Sequence, residues 1–302
     1  VSDRPSRLLL RAPAKLNLGL RVLGKRPDGY HEIETLFVAV SLFDELEMER
    51  LPSGGIQFSW APGRADLAAG DLIAGEGNLV VRAARAFEAM AGAPINVRIH
   101  LRKSIPVAAG LGGGSADAAA TLIGLSRLYS EETARLDLAA LATAIGADVP
   151  FFLGPPVSFG RGKGERLSQA AINLTWCAIV ACPKISSPTG EVYSALDLTC
   201  VPKMTDYPHR LDGDGFFAAL ALLHNDLQDV VARRIPEVPQ WQQRLLTLGA
   251  EGAYVSGSGP SVFGIFRTPP DRAVIESLAT DNVDLFLVRP LNTKMTISVG
   301  FA

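Results

Sequence analysis

Apolar and polar residues alternate with a period of two near the start of the chain. From Lys15 onward, Lys15, Asn17, Gly19 and Arg21 fall on one face, and Leu16, Leu18, Leu20 and Val22 on the other. Successive strand side chains point to opposite faces, so this is a half-buried strand. An apolar run at 7–11 predicts a strand before it, and strands are also expected at 33–42, 45–51, 56–60 and 95–101. Asn78 is placed to cap a helix over 79–90, where Val80, Ala83, Ala84 and Phe87 recur at helical spacing. Further on, helices are predicted over 115–128, 136–145, 189–196, 216–223, 241–248 and 272–278, with strands at 157–159, 176–182 and 284–289. Strands precede helices in each half and hairpin turns recur. The expected class is therefore α+β with antiparallel or mixed sheets, not a doubly wound parallel sheet.

The strongest break in this pattern is Pro106-Val107-Ala108-Ala109-Gly110-Leu111-Gly112-Gly113-Gly114-Ser115-Ala116, with four glycines in five residues, between a strand and a helix. A loop without Cβ atoms can turn several N–H groups toward one point. The following helix adds its own unpaired N–H groups and the positive end of its dipole. A tight turn capped by Ser115 would need only one such glycine, so the stretch reads as a polyanion cradle with phosphate as its guest. The Walker pattern is absent, because no lysine precedes Ser115; in the dinucleotide pattern counted from Gly110, Ser115 replaces the last glycine. Ser115 is a candidate for a phosphate or Mg²⁺ contact as well as a cap.

Three other stretches carry functional groups. Lys15 and Asn17 share one strand face, where they can meet an anionic or hydroxylated ligand or simply solvent. Pro27-Asp28-Gly29 is a turn that presents Tyr30 and His31 side by side. These two can hold a planar ring by stacking and hydrogen bonding, or belong to an ordinary hairpin. Gly146 suits a helix C-cap, and Pro150 is expected to push Val149 out of the helical region. Asp148 then sits in a kink among Val149, Phe151 and Phe152, where a carboxylate needs a partner or a task, or caps a neighbouring turn. Finally, two apolar strands within 253–266 flank a Ser-Gly-Ser-Gly turn, a hairpin or a second wall of a nucleotide site.

Composition narrows the function classes. The chain has 302 residues, 48% hydrophobic and 20% charged, which allows a large core and favours two domains. A net charge of −2 argues against a general binder of nucleic acid or anionic membrane. Cys177, Cys182 and Cys200 lack metal-site spacing and read as reduced, mostly buried thiols of a cytoplasmic protein. No apolar run reaches the ~18 residues of a spanning helix, and residues 1–5 lack a signal-peptide core. Gly154-Pro155-Pro156 is the best linker candidate.

Three stretches resemble, in order, the motifs of the GHMP kinases, the superfamily of galactokinase, homoserine kinase and mevalonate kinase. They are Pro13-Ala14-Lys15-Leu16-Asn17, residues 106–116 and residues 256–261. The Arg-Pro-Asp-Gly-Tyr-His turn at 26–31 and Gly-Ala-Asp-Val-Pro at 146–150 are similar to the branch that phosphorylates a cytidine-diphosphate-linked polyol. The likeness spans about residues 13–266. It implies a two-lobed fold with the active site in the cleft, an ATP-binding unit over 1–155 and a second unit over 156–302. It also implies ATP and Mg²⁺, a small-molecule acceptor in isoprenoid precursor synthesis, and no obligate protein partner.

By the same resemblance, Lys15 and Asp148 are the catalytic pair, and Pro106 to Ala116 wraps the ATP phosphates. Asn78 and Lys103 lie near adenine. Asn17, Tyr30 and His31 serve the substrate, His31 beside the cytosine, and Tyr193 stands where an aromatic residue meets that base. In one division of labour Asp148 accepts the hydroxyl proton and Lys15 orients the hydroxyl; in the other Lys15 stabilises the alkoxide and Asp148 positions it. A different GHMP kinase and a non-catalytic nucleotide-binding regulator are the competing functions. Two departures stand out. Ala108 and Ala109 replace glycines common before Gly110, and no clear carboxylate for Mg²⁺ is evident, which leaves the metal to phosphates, water and Ser115.

Overall fold

The alternation that begins at Lys15 belongs to a longer element. In the computed structural model, which describes residues 6–64, 75–130, 136–172, 174–198, 210–211, 215–280, 282–293 and 296–300, one strand β1 covers Arg7–Lys25. The strands expected at 33–42 and 45–51 are likewise one, β2 His31–Arg50, antiparallel to β1 along its length. Pro13 lacks an N–H, and the register shifts between Pro13 and Ala14, so a bulge absorbs the residues that looked like a break.

Long β2 has two partners on its other edge. Residues Glu45 to Arg50 pair with β4, Val97–Lys103, which runs parallel to β3, Ile56–Pro62. Residues Ile33 to Val38 pair with β5, Val157–Gly162, which pairs in turn with β6, Arg166–Gln169. These two strands follow the expected boundary at Pro155-Pro156 yet belong to the first sheet, because the open edge of β2 needs its backbone groups paired. The C-terminal β13, Thr296–Gly300, also returns to this sheet, against β1.

Helices α1 Leu79–Ala91, α2 Gly113–Leu128, α3 Leu138–Ile145 and α4 Val149–Leu153 pack around a core that includes Leu8, Leu10, Met48, Phe87, Leu122 and Leu125. Asn78 caps α1 as expected, accepting the Val80 N–H at 2.9 Å. The N-cap of α2 is Gly112 instead of Ser115, which falls inside the first turn. Gly146 caps the C-terminus of α3 as expected, with an extended backbone, whereas Val149 opens α4 instead of leaving the helical region. Pro150 is tolerated because a first-turn N–H has no intrahelical acceptor to lose.

A short parallel pair, β7 Ala171–Ile172 with β9 Arg210–Leu211, leads to the second sheet. That sheet has the order β10-β11-β8-β12, with β8 Cys177–Pro183, β10 Gly252–Val255, β11 Val262–Phe266 and β12 Val283–Val288, all antiparallel. One face packs Ala178, Val180 and Phe263 against Leu16, Leu18, Leu36 and Val38 of the first sheet. The other is covered by α7 Gln228–Arg234 and α8 Glu237–Thr247 through Val231, Trp241 and Leu245. The remaining helices are α5 Thr189–Ser194, α6 Gly215–Ala219 and α9 Arg272–Ser277; a 3-10 turn over Leu220–Leu222 ends the segment predicted at 216–223. Helix α7 had no clear periodic signal. Cys177 and Cys182 are buried free thiols; Cys200, residues 1–5 and most of the irregular stretch at 66–77 lie outside the described residues. Among the described residues no helix is long and apolar enough to cross a membrane.

Candidate active site

Leu16 and Leu18 turn into the core between the sheets, so Lys15 and Asn17 must turn the opposite way. They do, onto the floor of a cleft of about 910 Å³ lined by both halves of the chain. Lys15 is 4% exposed and its Nζ donates to Asn17 Oδ1 at 2.6 Å and to the Gly110 carbonyl at 2.9 Å. Asp148, at the N-terminus of α4, brings Oδ2 to 3.5 Å from the same Nζ and makes no side-chain bond to its own helix. Burial pulls Lys15 below the ordinary lysine range, and Asp148 opposes that shift. Asn17 is fixed by donating to Thr35 Oγ1 at 2.7 Å, and Thr35 donates to the Gly19 carbonyl.

The glycine loop lies across this pair. The Lys15 N–H donates to the Leu111 carbonyl, and Ser256 Oγ donates to the Gly110 carbonyl at 3.0 Å. Gly110 has φ +77°, and a Cβ there would lie 2.2 Å from the Ser256 carbonyl oxygen. Gly112 has φ +70°, and its Cβ would press on the Lys15 stem at 2.9 Å. The glycines are therefore required by close approach as well as by backbone conformation. Ala108 adopts φ +53° without that freedom. The first-turn N–H groups of α2, at Gly113, Gly114 and Ser115, have no intrahelical acceptor. Pro106, Val107, Ala108, Ala109 and Ser115 line the cleft, whereas the side chains of Leu111 and Ala116 are core residues.

The turn between β10 and β11 forms the opposite wall. Asn225 Nδ2 donates to the Val255 and Gly257 carbonyls at 2.8 Å each, and Ser187 Oγ donates to the Ser258 carbonyl. At the other end of the cleft, His31 stacks on Tyr193 with ring centroids 5.1 Å apart. Burial and nearby Lys25 lower the His31 pKa, which favours the neutral ring. Burial raises the Tyr193 pKa, and Asp148 and Asp226 add to the shift. Tyr30 stands at the rim, 56% exposed, with Lys163 Nζ 4.4 Å from its ring centroid. Tyr30 and His31 both line the cleft, and the His31 ring pairs with a residue from the second half.

Asn78 and Lys103 both reach the cleft wall. The Asn78 side-chain oxygen is engaged in capping α1, and the Lys103 ammonium is held by Asp44 at 2.5 Å and Asp117 at 2.7 Å. Asp44, Asp117, Thr35 and Asn225 were not singled out from the sequence, whereas Ser256 lies in the Ser-Gly-Ser-Gly turn read there as a hairpin or a second wall of the site.

Residues 78–154 match the family model of the GHMP kinases N terminal domain, and residues 209–283 match that of the GHMP kinases C terminal domain. A 4-diphosphocytidyl-2-C-methyl-D-erythritol kinase of Pelotomaculum thermopropionicum is 40% identical over 84% of this chain and 87% of its own length. One from Anaeromyxobacter dehalogenans is 42% identical over 86% and 81%. The chain belongs to the 4-diphosphocytidyl-2-C-methyl-D-erythritol kinase family of the GHMP kinases. A crystal structure of a 4-(cytidine 5'-diphospho)-2C-methyl-D-erythritol kinase superposes with a TM-score of 0.76 at 37% identity, covering 93% of this chain and 98% of that one. A homoserine kinase from Cytophaga hutchinsonii shares the fold at 17% identity, with a TM-score of 0.68 over 99% of each chain. The α+β kinase fold and the cleft between its halves are those expected for this family.

Proposed function

We propose that this protein transfers the terminal phosphoryl group of ATP to a hydroxyl of 4-diphosphocytidyl-2-C-methyl-D-erythritol, giving the 2-phosphate and ADP in the non-mevalonate route to isoprenoid precursors. One observation carries this reading. A buried lysine and a carboxylate meet 3.5 Å apart directly under a glycine loop, in the same cleft as His31 stacked on Tyr193. The loop and the α2 N-terminus supply N–H donors suited to the ATP phosphates. The His31–Tyr193 end offers stacking and hydrogen bonding to a cytosine, which mevalonate and homoserine lack. Asn17 and Tyr30 complete the acceptor side, and Asn78 and Lys103 stand on the nucleotide wall.

Phosphoryl transfer to an alcohol needs in-line placement, charge neutralisation and a proton acceptor. Asp148 accepts the hydroxyl proton as the oxygen bonds to the γ-phosphorus, and the bridging oxygen leaves with ADP. Lys15 orients the hydroxyl, with its Nζ 3.5 Å from the Asp148 carboxylate. Mg²⁺ supplies charge neutralisation when it enters with the nucleotide. Among the described residues no group of three or more His, Cys, Asp or Glu side chains could hold a metal ion, and we assign the Ser115 hydroxyl, which lines the cleft, as a protein contact for it. The test is product analysis. Incubation with ATP, Mg²⁺ and the cytidine substrate yields ADP and a new phosphomonoester signal by phosphorus NMR; ADP without that signal overturns the assignment.

A further inference from the structure

The glycine loop is anchored at both ends by one buried cluster of charges. Asp44, in the middle of β2, accepts the N–H groups of Ser104 at 2.6 Å and Ile105 at 2.9 Å through Oδ1, where the chain enters the loop. Its Oδ2 accepts from Lys103 Nζ at 2.5 Å. The same ammonium donates at 2.7 Å to Oδ2 of Asp117, on α2, where the chain has left the loop. None of the three side chains is more than 2% exposed. A Cβ on Gly113 would lie 2.8 Å from Lys103 Nζ, so the ammonium rests against the first residue of α2.

A buried ion cluster is poor evidence for stability, because desolvation offsets most of its attraction. Its geometry is more informative. The links run from β2 to the loop entry, and from β4 to the helix whose N–H groups face the cleft. We propose that Asp44, Lys103 and Asp117 are positioning residues that set the span of the glycine loop and thereby aim the α2 N-terminus at the nucleotide phosphates. This rests on the ATP-dependent reading above. Asp117 is the separable link. Its Oδ1 is buried with no hydrogen-bond partner, and its Oδ2 accepts from Lys103. Burial and the Asp44 charge push the Asp117 pKa up. In either protonation state Oδ2 accepts from the ammonium, and an asparagine carbonyl at the same place would do so too.

The test measures binding of ADP and a non-hydrolysable ATP analogue by calorimetry on the full chain, with steady-state kinetics beside it. Asp117→Ala leaves Lys103 paired with Asp44 but cuts the tie to α2. It is expected to weaken nucleotide binding about tenfold or more, as loss of one charged hydrogen bond allows, and to raise KM for ATP in parallel. KM for the cytidine substrate stays within about twofold, and Asp117→Asn restores nucleotide binding to within about threefold of wild type. A merely structural role would lower the melting temperature while the folded protein bound nucleotide normally. Wild-type affinity in Asp117→Ala, or an equal loss in Asp117→Asn, overturns the proposal. Should Asp117→Ala not fold, Asp117→Ser, whose oxygen is too short to reach Lys103, takes its place under the same criterion. A wild-type protein that binds neither nucleotide overturns the ATP reading itself, and this proposal with it.

Discussion

Replacing Asp148 with Asn removes a proton acceptor and a charge at one stroke. The first loss is worth ~10²–10⁴-fold in turnover, or roughly 3–5 kcal/mol of barrier. The second follows from the 3.5 Å separation of Asp148 Oδ2 and Lys15 Nζ. Coulomb's law gives ~1 kcal/mol at that distance in water and ~5 kcal/mol at an effective dielectric near 20. Asp148 keeps 31% of its side-chain exposure, so solvent screening places the pair toward the lower figure. Lys15 is already below the ordinary lysine range through burial, and without Asp148 that shift deepens. A lysine of lowered pKa loses its charge earlier as pH rises, so the alkaline limb of activity should move to lower pH in the variant. The assay is coupled ADP release at saturating ATP and cytidine substrate across a pH series, with nucleotide affinity measured separately. Turnover within tenfold of wild type, with an unmoved alkaline limb, would refute the assignment of Asp148 as the base.

The remaining predictions concern the two ends of the cleft and the loop. His31 has a lowered pKa, so it stays neutral at neutral pH. KM for the cytidine substrate should therefore be flat above neutrality and rise in acid as the ring gains a proton; a rise beginning at alkaline pH contradicts this. His31→Ala should raise KM for that substrate at least ~tenfold while KM for ATP changes little, as expected for a polar contact to one ligand only. Ala108→Gly should stabilise the protein by ~1 kcal/mol, because φ +53° costs an alanine about that much, read as an increase in the thermal midpoint. Gly110→Ala should do the reverse, by ~1–3 kcal/mol, since it adds backbone strain and a Cβ 2.2 Å from the Ser256 carbonyl. A neutral outcome at Gly110 would show that the loop does not seat on the Ser256 turn.

The strands and the glycine loop were legible because their signals are local. Alternation over Lys15 to Val22 fixes one face of β1, and four glycines before a run of small residues mark a strand-loop-helix junction. The limits of β1 and β2 were not legible, since Pro13 and the Phe43-Asp44 pair look like breaks until pairing shows a bulge at Pro13 and Ala14. Val149-Pro150 misled for a related reason. The rule that a residue before proline avoids the helix yields when that proline occupies the first turn. The supporting residues escaped notice because their partners are distant in sequence. Asp44 reaches Lys103 across 59 positions, and Asn17 reaches Thr35 across 18. The stack of His31 on Tyr193 joins the two halves of the chain, and only the family resemblance, not the local pattern, pointed to Tyr193.

The substrate is the central claim, and a parallel acceptor assay tests it most directly. Purified protein, Mg²⁺ and ATP are mixed separately with 4-diphosphocytidyl-2-C-methyl-D-erythritol, mevalonate and homoserine, and ADP release is followed. Release with the cytidine compound alone is the predicted result. Release with mevalonate or homoserine, or with none of the three, would contradict it.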